Sequence, residues 1–252
     1  MRRPLSSLLA LAVVAGTLAS CTTEKRALPI PLPDTAETSS IYDANGTLIT
    51  TLQADQNRIS VPLSQVPPAM QNAIVSIEDR RFWEHNGVDP RAIARAVKEN
   101  NESGEVSQGG STITQQYVKN ALLSDDETLS RKLEEAALSM EIERTYSKER
   151  IMELYLNTVY FGNGASGIEA AANTYFGVSS SGLNLTQAAM LAGIVQSPSI
   201  HDPYENPEDA KKRRDTVIQA MLDEGYINPQ TAETAEETPL RSEEHTSELQ
   251  SP

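Results

Sequence analysis

The stretch "SIEDRRFWEHNG", Ser76 to Gly87, sets two carboxylates, two arginines, two aromatics and a histidine among apolar residues. It decides the fold class because the pattern changes just before it. From Ala69 to His85 the apolar residues Met70, Ile74, Ile77 and Phe82 recur at helical spacing, with Glu78 on the same side, and the spacing predicts one amphipathic helix. A carboxylate on an apolar helix face is partly desolvated. Desolvation disfavours the charged form and raises the pKa, which suits general acid or base work near neutrality. The plainer alternative is a charged, solvated turn in which Glu78 pairs with Arg81 or a neighbouring arginine. Asp79 is expected to point away from Glu78, so the two do not make a carboxylate dyad by spacing alone.

Helical patterns continue outward from this stretch. Asp89-Pro90 has the N-cap and first-turn residues of a second helix, with Ile93 and Val97 as its apolar side. "NNESGEVSQGG" (Asn100–Gly110) reads as a polar loop. Further helices are predicted over Ser111–Leu123, Thr128–Arg144, Ser147–Tyr160, Ile168–Tyr175, Thr186–Val195 and Pro207–Glu224, the last stopped by Gly225. In the Thr128–Arg144 helix the inward residues are read as Leu129, Leu133, Ala136, Ala137 and Met140. Before Pro68, "SSIYDANGTLITTL" (Ser39–Leu52) places Asn45-Gly46 between β-prone runs, a hairpin signal. The expected fold is therefore mainly α, with a small β-rich segment leading into it. Residues 69–228 form the main domain, 41–68 the β-rich segment and 22–40 a proline-rich linker.

The chain has 252 residues and a formal net charge of −14, which excludes a general nucleic-acid binder, since phosphate backbones call for a basic surface. Its single cysteine, Cys21, rules out an intrachain disulfide. Residues 1–21 have a basic start, an apolar run from Leu8 to Ala19 and then small residues. That is a secretory layout, and the run is short of the roughly 20 residues that span a bilayer as a helix. "LASC" (Leu18–Cys21) resembles a bacterial lipobox with Cys21 as the lipidated residue; an uncleaved anchor is the alternative. Either places the remainder at the outer face of the cell membrane. At the other end, Arg241–Pro252 resembles the conceptual translation of a sequencing adapter and is set aside. Residues 229–240 are then expected to begin a continuation of the natural chain, with a further domain following; no Ser-x-x-Lys or Lys-Thr-Gly occurs in the 252 residues.

Three other stretches can carry chemistry. "QGGSTITQQYVKN" (Gln108–Asn120) sets Ser111, Thr112 and Thr114 behind two glycines at a helix start, with Gln115, Gln116 and Lys119 on the next turns, a dense set of donors for an anion. An ordinary N-cap followed by a polar face is the plainer reading. "RKLEEA" (Arg131–Ala136) allows an Arg131–Glu135 pair at i, i+4 or a pair of cations, Arg131 and Lys132, facing phosphates. "KERIMELYLN" (Lys148–Asn157) alone is an amphipathic helix.

Taken in order, "EDRRFWEHNG", "GGSTITQQ", "RKLEE", "KERIMELYLN" and "RRDTVIQAM" (Arg213–Met221) resemble the five motifs of the family 51 glycosyltransferases, the peptidoglycan glycosyltransferase domains of class A penicillin-binding proteins and of monofunctional transglycosylases. The resemblance implies a lysozyme-like helical fold with a donor site for the growing lipid-linked glycan and an acceptor site for lipid II. It implies Glu78 as the general base and Glu135 as the second acidic residue. Ser111, Gln115, Gln116, Lys119, Arg131, Lys132 and Lys148 match positions that hold the donor diphosphate, and Gly110, Thr112, Thr114 and Asn157 lie within the same motifs. Asp79 and His85 are expected to shape the site, and Phe82 to supply the apolar wall beside Glu78. No cofactor is implied as required, although a divalent metal, Mg2+ or Mn2+, is associated with the family near the donor pyrophosphate. The implied partners are lipid II, the growing glycan, the membrane surface and the cell-wall synthesis machinery.

Two departures stand out. Glu127 occupies a place where many relatives carry arginine, and His201-Asp202 a place where many carry Tyr-Asn-Pro; both add negative charge around the expected donor pocket. A lytic enzyme of the same fold, cutting a neutral sugar link, has no need of the cation set. A wall-binding scaffold with a decayed donor site is the non-catalytic alternative.

Overall fold

The computed structural model describes residues 39–42, 48–52, 59–103, 110–123 and 128–239. The readings of residues 1–21, of the linker up to residue 38, of the Asn45-Gly46 turn, of Glu127 and of residues 240–252 lie outside these. Among the described residues the protein is mainly helical. Two short strands, β1 (Ser39–Tyr42) and β2 (Leu48–Leu52), pair antiparallel. Nine helices follow among the described residues: α1 (Pro68–Glu78), α2 (Pro90–Ser103), α3 (Ile113–Leu122), α4 (Leu129–Thr145), α5 (Lys148–Thr158), α6 (Ile168–Phe176), α7 (Leu185–Ile194), α8 (Pro207–Asp223) and α9 (Pro229–Glu237).

The helix boundaries follow from local chemistry. α1, α8 and α9 each start with proline in the first turn, where the missing N–H costs nothing. α3 and α7 carry full capping boxes, Thr112 with Gln115 and Asn184 with Gln187. Asp89 caps α2 by accepting from Arg91 N–H at 2.9 Å. α8 ends where Gly225 turns left-handed (φ 75°), and Tyr226 N–H donates back to the Met221 carbonyl at 2.9 Å. α7 is buried on every side from Ala188 to Ile194, the pattern of a central helix. Around it pack α1 and α8, with α9 on α8; α3, α4 and α5 form the second group.

Three expectations change. α1 stops at Glu78 rather than running to His85, because Asp79 leaves the helical region (φ −158°, ψ 76°) and its carboxylate is drawn into other bonds. Phe82 therefore shares no helix face with Ile74 and Glu78. In α4 the predicted inward leucines face out: Leu129 is 80% and Leu133 64% exposed, while Glu135, Ser139 and Ile142 are buried. On α2, Ile93 is likewise exposed.

Candidate functional site

The turn after α1 is a knot of buried polar groups. His85 Nε2 donates to Asp79 Oδ2 at 2.7 Å, and the same oxygen accepts from the Ile113 N–H at 3.0 Å. That amide is one of the unpaired donors at the α3 N-terminus, where a carboxylate is also favoured by the helix dipole. His85 Nδ1 accepts from the Gly87 N–H at 3.2 Å, so the proton sits on Nε2. Thr112 Oγ1 donates to the Gly87 carbonyl at 2.6 Å. Gly87 has φ 93°, and a Cβ there would stand 2.6 Å from the Ser139 backbone of α4. Asp79 and His85 thus join α1, α3 and α4. Phe82 is fully buried, with Lys148 Nζ 4.5 Å from its ring centroid. It packs beneath the turn and does not line the cleft described next.

A cleft of about 1900 Å³ opens between the two helix groups, with Glu78, Asp79, Ser111, Thr112, Gln115, Gln116, Lys119, Arg131, Lys132 and Glu135 among its lining. Glu78, at the C-terminal end of α1, has a side chain only 12% exposed. Gln116 Nε2 donates to its Oε2 at 2.8 Å, and Arg213 Nη2 lies 4.0 Å from its Oε1. Burial raises the Glu78 carboxyl above the ordinary carboxylate range; the Gln116 hydrogen bond and Arg213 offset part of that, and Asp79 adds to it. Burial in turn lowers the Arg213 guanidinium, opposed by Glu78.

Across the cleft, Glu135 is buried on α4. Gln115 Nε2 donates to its Oε1 at 3.0 Å, and Lys132 Nζ pairs with the same oxygen. Lys132 also donates to Ser111 Oγ at 2.8 Å. Arg131 pairs with Glu134 at 3.1 Å, not with Glu135: the i, i+4 alternative loses because Glu135 points inward. Lys119 is exposed on α3 within the cleft lining. The arrangement sets the Glu78 carboxylate in the same cleft as Lys119, Arg131, Lys132 and Arg213 and several neutral donors. That set can stabilise a leaving group that gains negative charge.

Besides Phe82 and His85, four expected site residues lie outside the cleft lining. Lys148 Nζ donates to Glu143 Oε1 at 2.7 Å, and Thr114 Oγ1 donates to the same oxygen at 2.6 Å, away from the cleft. Asn157 spends its amide on the Val61 backbone, accepting from N–H at 2.9 Å and donating to the carbonyl at 2.8 Å. Gly110 packs on α2, where a Cβ would stand 3.2 Å from the Ile93 Cα. Asp202 does not add charge to the cleft either: it is buried and accepts from Asn163 at 3.1 Å and from the Tyr204 N–H at 2.9 Å.

Arg213 is the residue the sequence reading passed over, though it opens the fifth quoted motif. Its stem crosses Gly193 of α7, where a Cβ would lie 3.0 Å from Arg213 Cγ, and its Nε donates to the Gly193 carbonyl at 3.4 Å. Its neighbour Arg214 faces the other way, fully buried, and donates to the carbonyls of Glu236 and Thr238 at 2.8 and 2.6 Å at the end of α9. Arg80, also without an assigned role, pairs with Glu224 at 3.3 Å; Arg81 pairs with Asp89 at 2.9 Å.

As for a divalent metal, Glu135 is already bonded to Gln115 and Lys132, and among the described residues no group of three acidic, histidine or cysteine side chains is placed to hold a metal ion. The residues do not fit a protein-held ion. Among the described residues no helix is long and apolar enough to cross a membrane.

The transglycosylase family pattern matches residues 45–222. Penicillin-binding protein 1A of Aquifex aeolicus is 48% identical over 204 residues, covering 81% of this chain and 28% of its own length. Penicillin-binding protein 1A/1B of Bacillus subtilis is 43% identical over 210 residues, covering 83% and 23%. A crystal structure of penicillin-binding protein 1A from Haemophilus influenzae aligns over 84% of this chain and 22% of its own at TM-score 0.48 and 24% identity. The chain thus spans about a quarter of the length of the curated relatives it matches.

Proposed function

Since the chain belongs to the transglycosylase family, we propose that it is a peptidoglycan glycosyltransferase that polymerises lipid II into β-1,4 glycan strands. The observation that carries this reading is Glu78: a mostly buried carboxylate, raised in pKa, in one cleft with Lys119, Arg131 and Lys132. Glu78 takes the proton from the 4-hydroxyl of the acceptor GlcNAc. That oxygen attacks C1 of the donor MurNAc, the bond from C1 to the pyrophosphate oxygen breaks, and undecaprenyl pyrophosphate leaves with inversion. A carboxyl with a raised pKa is a stronger proton acceptor than a free one once ionised. The Lys119, Arg131 and Lys132 cations and the Ser111 and Gln115 donors meet the charge that develops on the departing diphosphate. Glu135 acts here through its partners, orienting Gln115 and Lys132.

The fold in this reading is lysozyme-like, and residues 1–21 hold the domain at the extracytoplasmic face of the cell membrane, where its lipid-linked substrate resides. Asp79, His85, Thr112 and Phe82 support the site from beneath, and Lys148, Thr114 and Asn157 hold the helices that carry it. The test is polymerisation of purified lipid II by the protein against Glu78→Gln. Activity in the wild type that the substitution leaves unchanged removes Glu78 from the base role. A folded, inactive wild type favours a wall-binding scaffold.

A further inference from the structure

The hydrogen bond from Gln116 to Glu78 raises a question of orientation. A side-chain amide keeps nearly the same shape when turned by half a rotation, but it exchanges a donor for an acceptor. With NH2 toward Glu78 it supports the ionised carboxylate. With the oxygen toward Glu78 it repels that form and supports the protonated one. Glu78 favours the first orientation only when ionised and the second when protonated, so by itself it does not fix the amide.

Tyr155 does. It lies on α5, its ring is fully buried, and its hydroxyl donates to Gln116 Oε1 at 3.2 Å. Burial, reinforced by the Glu78 and Asp79 carboxylates, holds the phenol well above its ordinary value, so it keeps its proton throughout the working range. A buried hydroxyl with a proton to donate needs an acceptor, and the amide oxygen supplies it.

We propose that Tyr155 is a positioning residue for the proton-accepting carboxylate: through Oη–H···Oε1 of Gln116 it fixes the amide with its NH2 toward Glu78. No proton passes to Tyr155; it acts only by orienting Gln116. The proposal rests on the reading of Glu78 as the base. The other groups that act on Glu78 are Arg213 from α8 and Asp79 next in the chain; α3 presents the neutral amide, and α7 carries no titratable side chain. None of these is altered by removing the Tyr155 hydroxyl.

The test is Tyr155→Phe, which keeps the ring and deletes one oxygen. Initial rates of lipid II polymerisation are followed across pH, and the Glu78 carboxyl is titrated by 13C NMR, its signal assigned by its loss in Glu78→Gln. The expected result is an acid limb and an NMR midpoint both about one pH unit higher, hence a rate roughly tenfold lower on the acid side, with convergence on the alkaline side and KM unchanged. In a Gln116→Leu background, which has no amide to orient, Tyr155→Phe should no longer move the NMR midpoint. A uniform loss of rate at all pH with an unmoved midpoint overturns the proposal, as does an equal midpoint shift in the Gln116→Leu background. A wild type that does not polymerise lipid II overturns the base reading, and the NMR titration still decides the orientation.

Discussion

Asn157 and Val61, 96 residues apart, exchange two hydrogen bonds, Val61 N–H to Oδ1 at 2.9 Å and Nδ2–H to the Val61 carbonyl at 2.8 Å. One turn earlier on α5, Glu153 Oε2 accepts from the Leu63 N–H at 2.8 Å. These side chains act as a strand edge for the extended chain that leads into α1. Asn157→Ala should therefore lower unfolding stability by about 2 kcal/mol, at roughly 1 kcal/mol per bond, and leave KM for lipid II within about twofold. Chemical denaturation and steady-state kinetics check the two halves; a large KM change with little loss of stability would return Asn157 to the substrate site.

Glu78→Gln should abolish the base, lowering the polymerisation rate by about 10²–10⁴, and should also stabilise the protein at neutral pH. The sign follows from the raised carboxyl. Below its ordinary value of 4.5 it is protonated in folded and unfolded chains alike. Between 4.5 and the higher folded value only the folded chain keeps the proton, so stability falls as pH rises; above the folded value the penalty is constant. Each pH unit of that gap is about 1.4 kcal/mol, or about 3–5 °C in a protein of this size. Thermal melts of both proteins should therefore separate at pH ~7, with Glu78→Gln higher, and converge below pH ~4.5.

Gly87→Ala should cost about 3 kcal/mol or more. Alanine is strained at φ 93°, its Cβ would meet the Ser139 backbone at 2.6 Å, and relief by moving the turn would break the Thr112 bond to the Gly87 carbonyl. The readout is melting temperature; a small effect would show that the turn moves freely against α4.

Removing α9, by ending the chain at Asn228, should destabilise the fold by about 3–5 kcal/mol relative to a chain ending at Pro239. The loss comes from Arg214, whose buried guanidinium would give up the carbonyls of Glu236 and Thr238 and keep only Asp215. Arg214→Leu in the longer chain tells the loss of this clamp from the loss of α9's apolar packing, since it removes only the former.

What the sequence made legible, and what it hid, divides along a physical line. The cap at Asp89 before Pro90 and the stop at Gly225 after α8 were readable because their causes are local, whereas the break at Asp79 depends on partners at His85 and Ile113. Gln116 and Lys119 drew notice as dense donors behind a glycine pair, Glu78 as a carboxylate among apolar residues and Lys132 as one of two adjacent cations; all four line one cleft. α4 misled because hydrophobic period assumes that apolar residues go inward. Here Glu135 and Ser139 take the inner face, held by Gln115 and by the Glu135 carbonyl, and Leu129 and Leu133 are left outside. Lys148, Asn157 and Arg213 were misplaced or passed over for another reason: their partners, Glu143, Val61 and Glu78, lie on other segments, and nothing in the local pattern names them.

The seat of Arg213 on Gly193 bears on how such a protein can change over generations. Anything larger than hydrogen at position 193 presses on the stem of Arg213, across a contact between two of the most closely packed helices. A lineage that replaces the glycine must shift the stem of Arg213 by a few tenths of an ångström, shorten residue 213 or part α7 from α8, and each of these disturbs the guanidinium beside Glu78. The two positions, on different helices, are thereby one heritable unit. Across relatives they should vary together, and a search for covarying pairs should recover this contact.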